Sequence, residues 1–182
     1  MKVTRTEVEG LLVIEPKVFG DTRGYFLETY NRERYAAEGL DAHFVQDNLS
    51  YSQKGVLRGL HYQKPFTQGK LVSVVEGQVW DVAVDLRTNS PTFGRWFGLC
   101  LDSEKKNQFY VPPGFAHGFV VTSPTALFSY KCTEVYHPET EGALLWNDPD
   151  VGIQWPVDIE PQLSGKDAAA PLLRDIPKER LF

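Results

Sequence analysis

The sequence predicts a mainly β protein, an antiparallel jelly-roll barrel (a double-stranded β-helix) with a few short helices. Short runs in which apolar and polar residues alternate dominate the 182 residues, and such alternation is typical of half-buried strands. Gly, Pro and Asn separate these runs in the manner of β-turns. Regularly alternating strands and long helices do not occur, so parallel βαβ units are not expected.

The most regular alternation lies in residues 70–86, KLVSVVEGQVWDVAVDL. It predicts a hairpin with Glu76-Gly77-Gln78 as its turn. The first arm of this hairpin places Lys70, Val72 and Val74 on one face, because side chains alternate along a strand.

Two further strand pairs follow along the chain. One comprises residues 95–102 and 107–113, and the other comprises residues 117–123 and 125–136, with Pro124 at the turn. In total the pattern predicts eight or more strands, and a jelly roll of this size encloses a ligand cavity between its sheets.

Helical signals are short and local. Residues 31–40, NRERYAAEGL, predict two or three turns that end at Gly39, and the tail PLLRDIPKERLF predicts a short helix after Pro171. We expect residues 1–182 to form a single domain, with a C-terminal extension from about residue 160.

Composition and charge exclude several classes of function. The net charge of −5 and the pI near 5.4 come without clustered Lys and Arg, so nucleic acid is not an expected partner. No apolar run reaches the roughly 20 residues of a membrane span, and no signal peptide is evident. We therefore expect a soluble cytoplasmic protein without a membrane partner. Cys100 and Cys132 are expected to be buried free thiols.

The segment Val56–Gln63, VLRGLHYQ, holds an arginine and a histidine in an apolar frame. In a regular strand Arg58 and His61 would point to opposite faces, so both reach one pocket only if Gly59 permits a bulge or bend. An arginine buried there would require an anionic partner. The alternative is a hydrogen-bonded core His61 with Arg58 on the surface, and the residues alone leave both open.

A second segment, Tyr110–Phe119, YVPPGFAHGF, resembles the PxGxxH part of the second cupin motif, which implies a cupin-like barrel. In metal cupins this histidine, here His117, is a ligand together with an HxH pair. The corresponding residues here read His61-Tyr62-Gln63, so glutamine replaces one ligand. His43 and His137 have no spacing that restores the set, and no metal is expected.

Without a metal, the polar residues of such a barrel suit proton transfer next to a carbonyl. The ordinary pKa of histidine, about 6.5, makes His61 a suitable base. Lys70 can stabilise the enolate oxygen, and Tyr130 can return a proton from the opposite face. The alternative for Tyr130 is a packed aromatic with a satisfied hydroxyl, which is the commoner case.

Together these residues resemble the dTDP-4-dehydrorhamnose 3,5-epimerase family. The resemblance spans nearly the whole chain, in residues 21–30, 44–50, 56–63, 69–70, 111–119 and 163–167. It implies that His61 is the base, Lys70 steadies the enolate and Tyr130 is the acid, with no metal or organic cofactor. It also implies that Asp167 orients and charges His61, whereas the residues alone favour a helix cap or loop residue there.

The resemblance further implies a nucleotide-sugar pocket and a homodimer. Residues implied to contact substrate are Arg23, Glu28, Gln46, Asn48, Arg58 and His117. The guanidinium forks of Arg23 and Arg58 match pyrophosphate oxygens. Family members exchange an N-terminal strand between subunits, so Arg23 and Glu28 are expected to serve the partner's pocket.

The implied reaction converts dTDP-4-dehydro-6-deoxy-D-glucose to dTDP-4-dehydro-L-rhamnose by epimerisation at C3 and C5, which both flank the C4 ketone. The nearest alternative is an epimerase of one centre of a related dTDP-4-keto-6-deoxy sugar. A sugar-nucleotide 3,4-ketoisomerase shares the barrel but lacks this set of four residues. An alternative from another class is a non-catalytic cupin that only binds a ligand; it predicts loss of at least one of the four, and all are present.

Overall fold

The computed structural model describes residues 1–156 and 158–182. These residues form a mainly antiparallel β structure, as the alternation predicted. The strands are β1 Lys2–Arg5, β2 Leu12–Glu15, β3 Val18–Asp21, β4 Gly24–Leu27, β5 Gln46–Gln53, β6 Leu57–Gln63, β7 Lys70–Asp85, β8 Trp96–Asp102, β9 Gln108–Val111, β10 Phe115–Cys132 and β11 Glu141–Ala143.

Helices are few and short. Helix α1 spans Arg32–Ala37, its N-cap Asn31 accepts a hydrogen bond from the Arg34 amide, and Gly39 follows with φ +97°. Helix α2 spans Gly165–Ala168 and was not predicted. The tail forms two 3₁₀ turns, Leu173–Asp175 and Lys178–Arg180, where one short helix was expected. In the described ranges, no helix is long and apolar enough to cross a membrane.

Two long strands, β7 and β10, pair along their whole length and build both layers of the barrel. The first half of β7 pairs with β9 and the second half with β8. Likewise, the first half of β10 pairs with β6 and the second half with β5. Each long strand therefore passes from one sheet to the other, which is the jelly-roll arrangement and leaves a cavity between the sheets.

The predicted hairpin in residues 70–86 is wrong, because β7 runs through it as one bent strand. Gly77 has φ +84°, and an added Cβ would lie 2.1 Å from the Thr125 carbonyl oxygen. The register with β10 shifts between Val121 and Ala126 at this point. Gly77 therefore marks a corner at which the strand passes between sheets. Apolar and polar residues alternate on both sides of such a corner as they do on both sides of a turn, so the sequence pattern cannot distinguish the two.

The turn predicted at Pro124 is also wrong, since Pro124 lies within β10 in the irregular stretch opposite Gly77. The strands predicted at 95–102 and 107–113 exist as β8 and β9, but each pairs with β7. The face predicted for β7 is confirmed: Val72 and Val74 belong to the central core cluster, and Lys70 lines the cavity.

The bend expected at Gly59 is present. Gly59 has φ +127°, and the register between β6 and β10 shifts between His117 and Phe119. A Cβ on Gly59 would lie 2.6 Å from the Gly118 Cα and 2.9 Å from the His117 carbonyl oxygen. Both Arg58 and His61 consequently line the same cavity.

Replacing Gly59 with alanine should destabilise the fold strongly, because the new Cβ meets backbone on β10 and the positive φ disfavours any side chain. We expect the free energy of unfolding to fall by about 3 kcal/mol or more, measured by urea denaturation. Gly165→Ala is the matched control, since nothing lies within 4 Å of its Cβ position; it should change stability by less than about 1 kcal/mol. Equal effects of the two variants would contradict the close approach of β6 to β10.

Candidate active site

A cavity of about 530 Å³ opens between the two sheets. It adjoins a smaller cavity of about 240 Å³, and His61, Lys70 and Tyr130 line both. The larger cavity is also lined by Arg58, His117 and Asp167, and the smaller one by Gln46 and Asn48. Eight of the ten predicted site residues thus line these two adjoining cavities, whereas Arg23 and Glu28 line neither.

A short polar contact in this space joins His61 to Asp167. The His61 Nε2 atom lies 2.6 Å from Asp167 Oδ1, although the residues are 106 positions apart. The C-terminal segment reaches β6 because the Leu57 amide donates to the Gln162 carbonyl at 3.0 Å. Ser164 then caps α2 by accepting from the Asp167 amide at 3.1 Å, and the first turn of α2 places the carboxylate against the imidazole.

The Asp167 carboxylate is ionised at neutral pH. Burial opposes ionisation, but hydrogen bonds from His61, Ser164 and the Gly59 amide outweigh it, so the pKa of Asp167 is lowered. An ionised carboxylate only accepts hydrogen bonds, so Nε2 of His61 carries the proton. Nδ1 is therefore left with a free lone pair and is the basic nitrogen of the ring.

Lys70 lies at the start of β7, between the two cavities. Burial lowers the pKa of its ammonium group, against the opposing fields of Cys132, Glu141 and Asp81. Within residues 1–156 and 158–182, its Nζ atom forms neither an ion pair nor a hydrogen bond. A cation without a partner in a partly desolvated cavity is available to a developing oxyanion.

Tyr130 lies on β10 opposite Val72 of β7, next to the pair formed by Cys132 and Lys70. Burial raises the pKa of its phenol, with smaller contributions from the neighbouring charges. The hydroxyl therefore stays protonated at neutral pH and can act as a proton donor.

His117 faces His61 directly across the β6–β10 pair. Its Nε2 atom lies 2.9 Å from Asp81 Oδ1, and the pair is buried. Burial raises the pKa of the Asp81 carboxyl, while His117 and Lys70 lower it. Both histidines of the cupin-like motifs are thus engaged with carboxylates. No group of three or more His, Cys, Asp or Glu in the described ranges is arranged to hold a metal ion.

Arg58 lies exposed at the mouth of the larger cavity, and its Nε donates to Ser52 Oγ at 3.1 Å. Because Arg58 is exposed, it does not need the anionic partner that a buried arginine would require. In the smaller cavity the Gln46 amide donates to Asn48 Oδ1 at 3.0 Å, so the two amides form one polar wall.

Arg23 lies in the hairpin formed by β3 and β4, and Glu28 follows β4. Among the described residues, these two strands pair only with each other. Arg23 Nη2 contacts Asp21 Oδ2 at 2.6 Å, and Glu28 Oε1 accepts from Arg34 at 3.0 Å. The two residues are thus separate from the cavities of their own chain.

The chain that carries this histidine, carboxylate, lysine and phenol matches a known family. A family model described as dTDP-4-dehydrorhamnose 3,5-epimerase matches residues 5–175. The chain belongs to the dTDP-4-dehydrorhamnose 3,5-epimerase family. A dTDP-4-dehydrorhamnose 3,5-epimerase of Salmonella typhimurium is 54% identical over 175 residues, which cover 95% of this chain and 96% of the relative.

Solved epimerase structures share the fold. The dTDP-6-deoxy-D-glucose-3,5-epimerase of Legionella pneumophila, in complex with dTDP-4-keto-L-rhamnose, is 55% identical with a TM-score of 0.96, covering 99% of this chain and 96% of that one. ChmJ, a 3'-monoepimerase from Streptomyces bikiniensis in complex with dTDP-quinovose, is 38% identical with a TM-score of 0.88, covering 93% and 87%.

Sequence reasoning missed two carboxylates of this epimerase site. Asp81 stands in the apolar strand WDVAVD, and a charge within a buried strand is a signal that a partner must lie nearby. Glu141 has no such signal. Its Oε1 lies 4.0 Å from His61 Nδ1, and it also contacts Lys166 and the Tyr136 hydroxyl. Burial opposes its ionisation, but these partners lower its pKa overall.

Because Lys70 is a buried cation without a partner in the part of the chain that the structure describes, Lys70→Met should stabilise this epimerase while removing its activity. The unfolded chain binds the lysine proton more tightly than the folded chain, so the folded state is penalised at neutral pH. We expect a gain of about 1 kcal/mol, or about 2–4 °C in Tm by calorimetry. The gain should shrink as pH rises towards 10.5, the ordinary pKa of lysine.

Lys131→Met is the control for Lys70→Met, because Lys131 pairs with the exposed Asp47 at 2.9 Å. It should leave Tm nearly unchanged at every pH. A Lys70→Met protein that is less stable than the wild type at neutral pH would contradict the assignment of Lys70 as an uncompensated cation.

Proposed function

We propose that this protein epimerises C3 and C5 of dTDP-4-dehydro-6-deoxy-D-glucose, giving dTDP-4-dehydro-L-rhamnose. The observation that carries the proposal is that one cavity is lined both by a histidine bonded to a carboxylate and by a lysine that has no partner among the described residues. A base and an oxyanion stabiliser on a shared space are what proton abstraction next to a ketone requires. Membership of the family supports the choice of a nucleotide sugar as substrate.

In the proposed reaction, His61 Nδ1 removes the proton from the carbon next to the C4 ketone. The electron pair of the C–H bond moves to form the enolate, whose negative oxygen is stabilised by the Lys70 ammonium. Asp167 stabilises the imidazolium that forms on His61. Tyr130 or water then returns a proton to the opposite face of the carbon. His61 then releases the abstracted proton to water, and Tyr130, where it was the donor, regains a proton from water. Repeating this sequence at the other carbon inverts both centres, with the same C4 oxygen as the electron acceptor each time.

The rest of the cavity suits the nucleotide. Arg58 and Lys166 line the larger cavity and supply positive charge for the pyrophosphate. Gln46 and Asn48 offer amide groups for the base and sugar, and His117, held by Asp81, offers its remaining ring nitrogen to the substrate.

Proton NMR of the substrate with the enzyme in deuterated water tests the proposal. We expect enzyme-dependent exchange at both C3 and C5, and the same rates with a metal chelator present, because no step uses a metal. Exchange at one carbon only would support the second candidate, a single-centre epimerase. The similarity to ChmJ, a 3'-monoepimerase, is the observation that favours this candidate. No exchange at either carbon would overturn the proposal.

The change Asp167→Asn should lower kcat by about 1,000-fold or more. The neutral amide no longer stabilises the imidazolium, and its NH₂ group can impose the wrong tautomer on His61. Asp148→Asn is the matched control, since Asp148 is buried in the same C-terminal region and accepts from the Asp150 and Leu173 amides. It should lower stability and leave kcat within about threefold. Equal losses of kcat would contradict the proposed role of Asp167.

We also propose that the protein is a homodimer in which the β3–β4 hairpin completes the partner's pocket. A two-stranded hairpin on its own is marginally stable in water, and this one exposes a cluster of large apolar side chains. They are Val18, Phe19, Tyr25 and Phe26, with 42%, 52%, 61% and 69% exposed. A second subunit seated on this hairpin would bury the cluster and bring Arg23 and Glu28 to its cavity.

Mixed dimers of Arg23→Ala and His61→Ala subunits test this exchange. If Arg23 serves the partner, the Arg23→Ala subunit keeps its own His61 and receives an intact Arg23, so one of the two pockets is whole. The doubly tagged, purified heterodimer should then be far more active than either parent homodimer. Activity no higher than that of the Arg23→Ala parent would show that Arg23 serves its own chain or no site.

As part of the proposal we place the enzyme in the cytoplasm. Cys100 and Cys132 are both free thiols, and free cysteines suit a reducing compartment. Neither nucleic acid nor a membrane is a proposed partner.

A further inference from the structure

We propose that Gln63 is a positioning residue that fixes residues 135–137, whose Tyr136 forms part of the wall of the substrate cavity. The inference rests on the proposed function, because it concerns binding of the same nucleotide sugar. Gln63 occupies the position at which a metal cupin would carry a ligand, and in this chain its amide performs a different task.

All the hydrogen bonds of the Gln63 amide go to main-chain atoms of two loops. Its Nε2 donates to the Phe66 carbonyl at 2.8 Å and to the Val135 carbonyl at 3.2 Å. Its Oε1 accepts from the His137 amide at 2.9 Å. The side chain is 3% exposed, so both N–H groups and the carbonyl are satisfied by protein rather than by water.

The residue between these two contacts is held in the same way. The Tyr136 amide donates to Gln46 Oε1 at 2.9 Å. Three consecutive residues, 135–137, are thus fixed by side-chain amides, in a segment that follows β10 and belongs to no strand. The segment is also held by stacking of the His137 ring on Phe66 and by the hydrogen bond from the Thr140 amide to the His137 carbonyl. Because Gln63 also bonds the Phe66 carbonyl, its amide joins both the segment and this stacking partner to β6.

This segment borders the smaller cavity. The Tyr136 side chain lines that cavity, is 52% exposed, and donates its hydroxyl to Glu141 at 2.8 Å. Gln46 and Asn48 line the same cavity. Without the Gln63 amide, the Val135 carbonyl and the His137 amide would lose their buried partner and turn towards water. The wall would then shift or become mobile.

The groups that carry out the proposed chemistry are held elsewhere. His61 lies on β6, Lys70 on β7 and Tyr130 on β10, and Asp167 is placed by α2. Loss of the Gln63 amide should therefore weaken substrate binding, since a wall that must be ordered on binding costs affinity, while the rate at saturation is largely kept.

The test compares Gln63→Met with Asn107→Leu, two nearly isosteric changes of buried amides. Asn107 is 9% exposed and bonds the Asp102 amide and the Cys100 carbonyl in the β8–β9 bend, outside both cavities. Each variant is measured for Tm, kcat, KM and the Kd of dTDP by calorimetry. Both should lose stability, but only Gln63→Met should raise KM and the Kd of dTDP, by about tenfold, with kcat within about threefold.

A second variant and a second measurement cover the case in which Gln63→Met does not fold. Gln63→Glu keeps the size of the side chain and the acceptor for the His137 amide, but it cannot donate to the Phe66 and Val135 carbonyls, so we expect a smaller rise in KM. Hydrogen exchange of the Tyr136 and His137 amides should be faster in the Gln63 variants and unchanged in Asn107→Leu.

Unchanged KM and dTDP affinity in the Gln63 variants would overturn the proposal, as would a loss of kcat with KM unchanged. If the wild type binds dTDP but turns over no 4-keto sugar, the proposed reaction fails, and the dTDP affinities still decide the role of Gln63. If the wild type does not bind dTDP, both proposals fail.

Discussion

The hydrogen bond between His61 and the ionised Asp167 is the interaction on which the site depends. It joins a strand of the barrel to a helix turn 106 residues later at 2.6 Å. The bend at Gly59 turns His61 into the cavity, and the bridge of Gln162 to β6 delivers α2 to the imidazole. A carboxylate that only accepts a hydrogen bond fixes the tautomer of the ring. The bend in β6 and the placement of the C-terminal segment are therefore both required to position and orient the His61 ring.

The charges around this pair are separated in a way that suits proton transfer. Ionised Asp167 and Glu141 lie on either side of the His61 ring, whereas Lys70 stands without an ion-pair partner among the described residues. The positive charge of the Lys70 ammonium favours a negative enolate oxygen. The same arrangement costs stability, because a desolvated cation is unfavourable until a negative oxygen arrives. Such tension between stability and activity is common at active sites.

The sequence predicted the existence of the strands and the β class, because side-chain alternation depends only on which face is buried. The sequence did not predict that β7 and β10 continue through Gly77 and Pro124. A glycine or proline interrupts the alternation of apolar and polar residues in the same way at a turn as at a corner between sheets. The bend at Gly59 was predictable, because Arg58 and His61 could share a pocket in no other way. The position of Glu141 beside His61 was not predictable from the sequence, because it arises from the pairing of β11 with β6, which are distant segments of the chain.

The protonation of the His61 ring in the substrate-free enzyme decides which ring nitrogen can act as the base. Nitrogen-15 NMR of labelled protein at neutral pH, with His61 assigned by comparison with His61→Ala, distinguishes the two ring nitrogens. We predict a protonated Nε2 and an unprotonated Nδ1 for the neutral ring, and loss of this preference in Asp167→Asn. A ring that carries its proton on Nδ1, or that is indifferent to Asp167, would contradict the assignment of Nδ1 as the base.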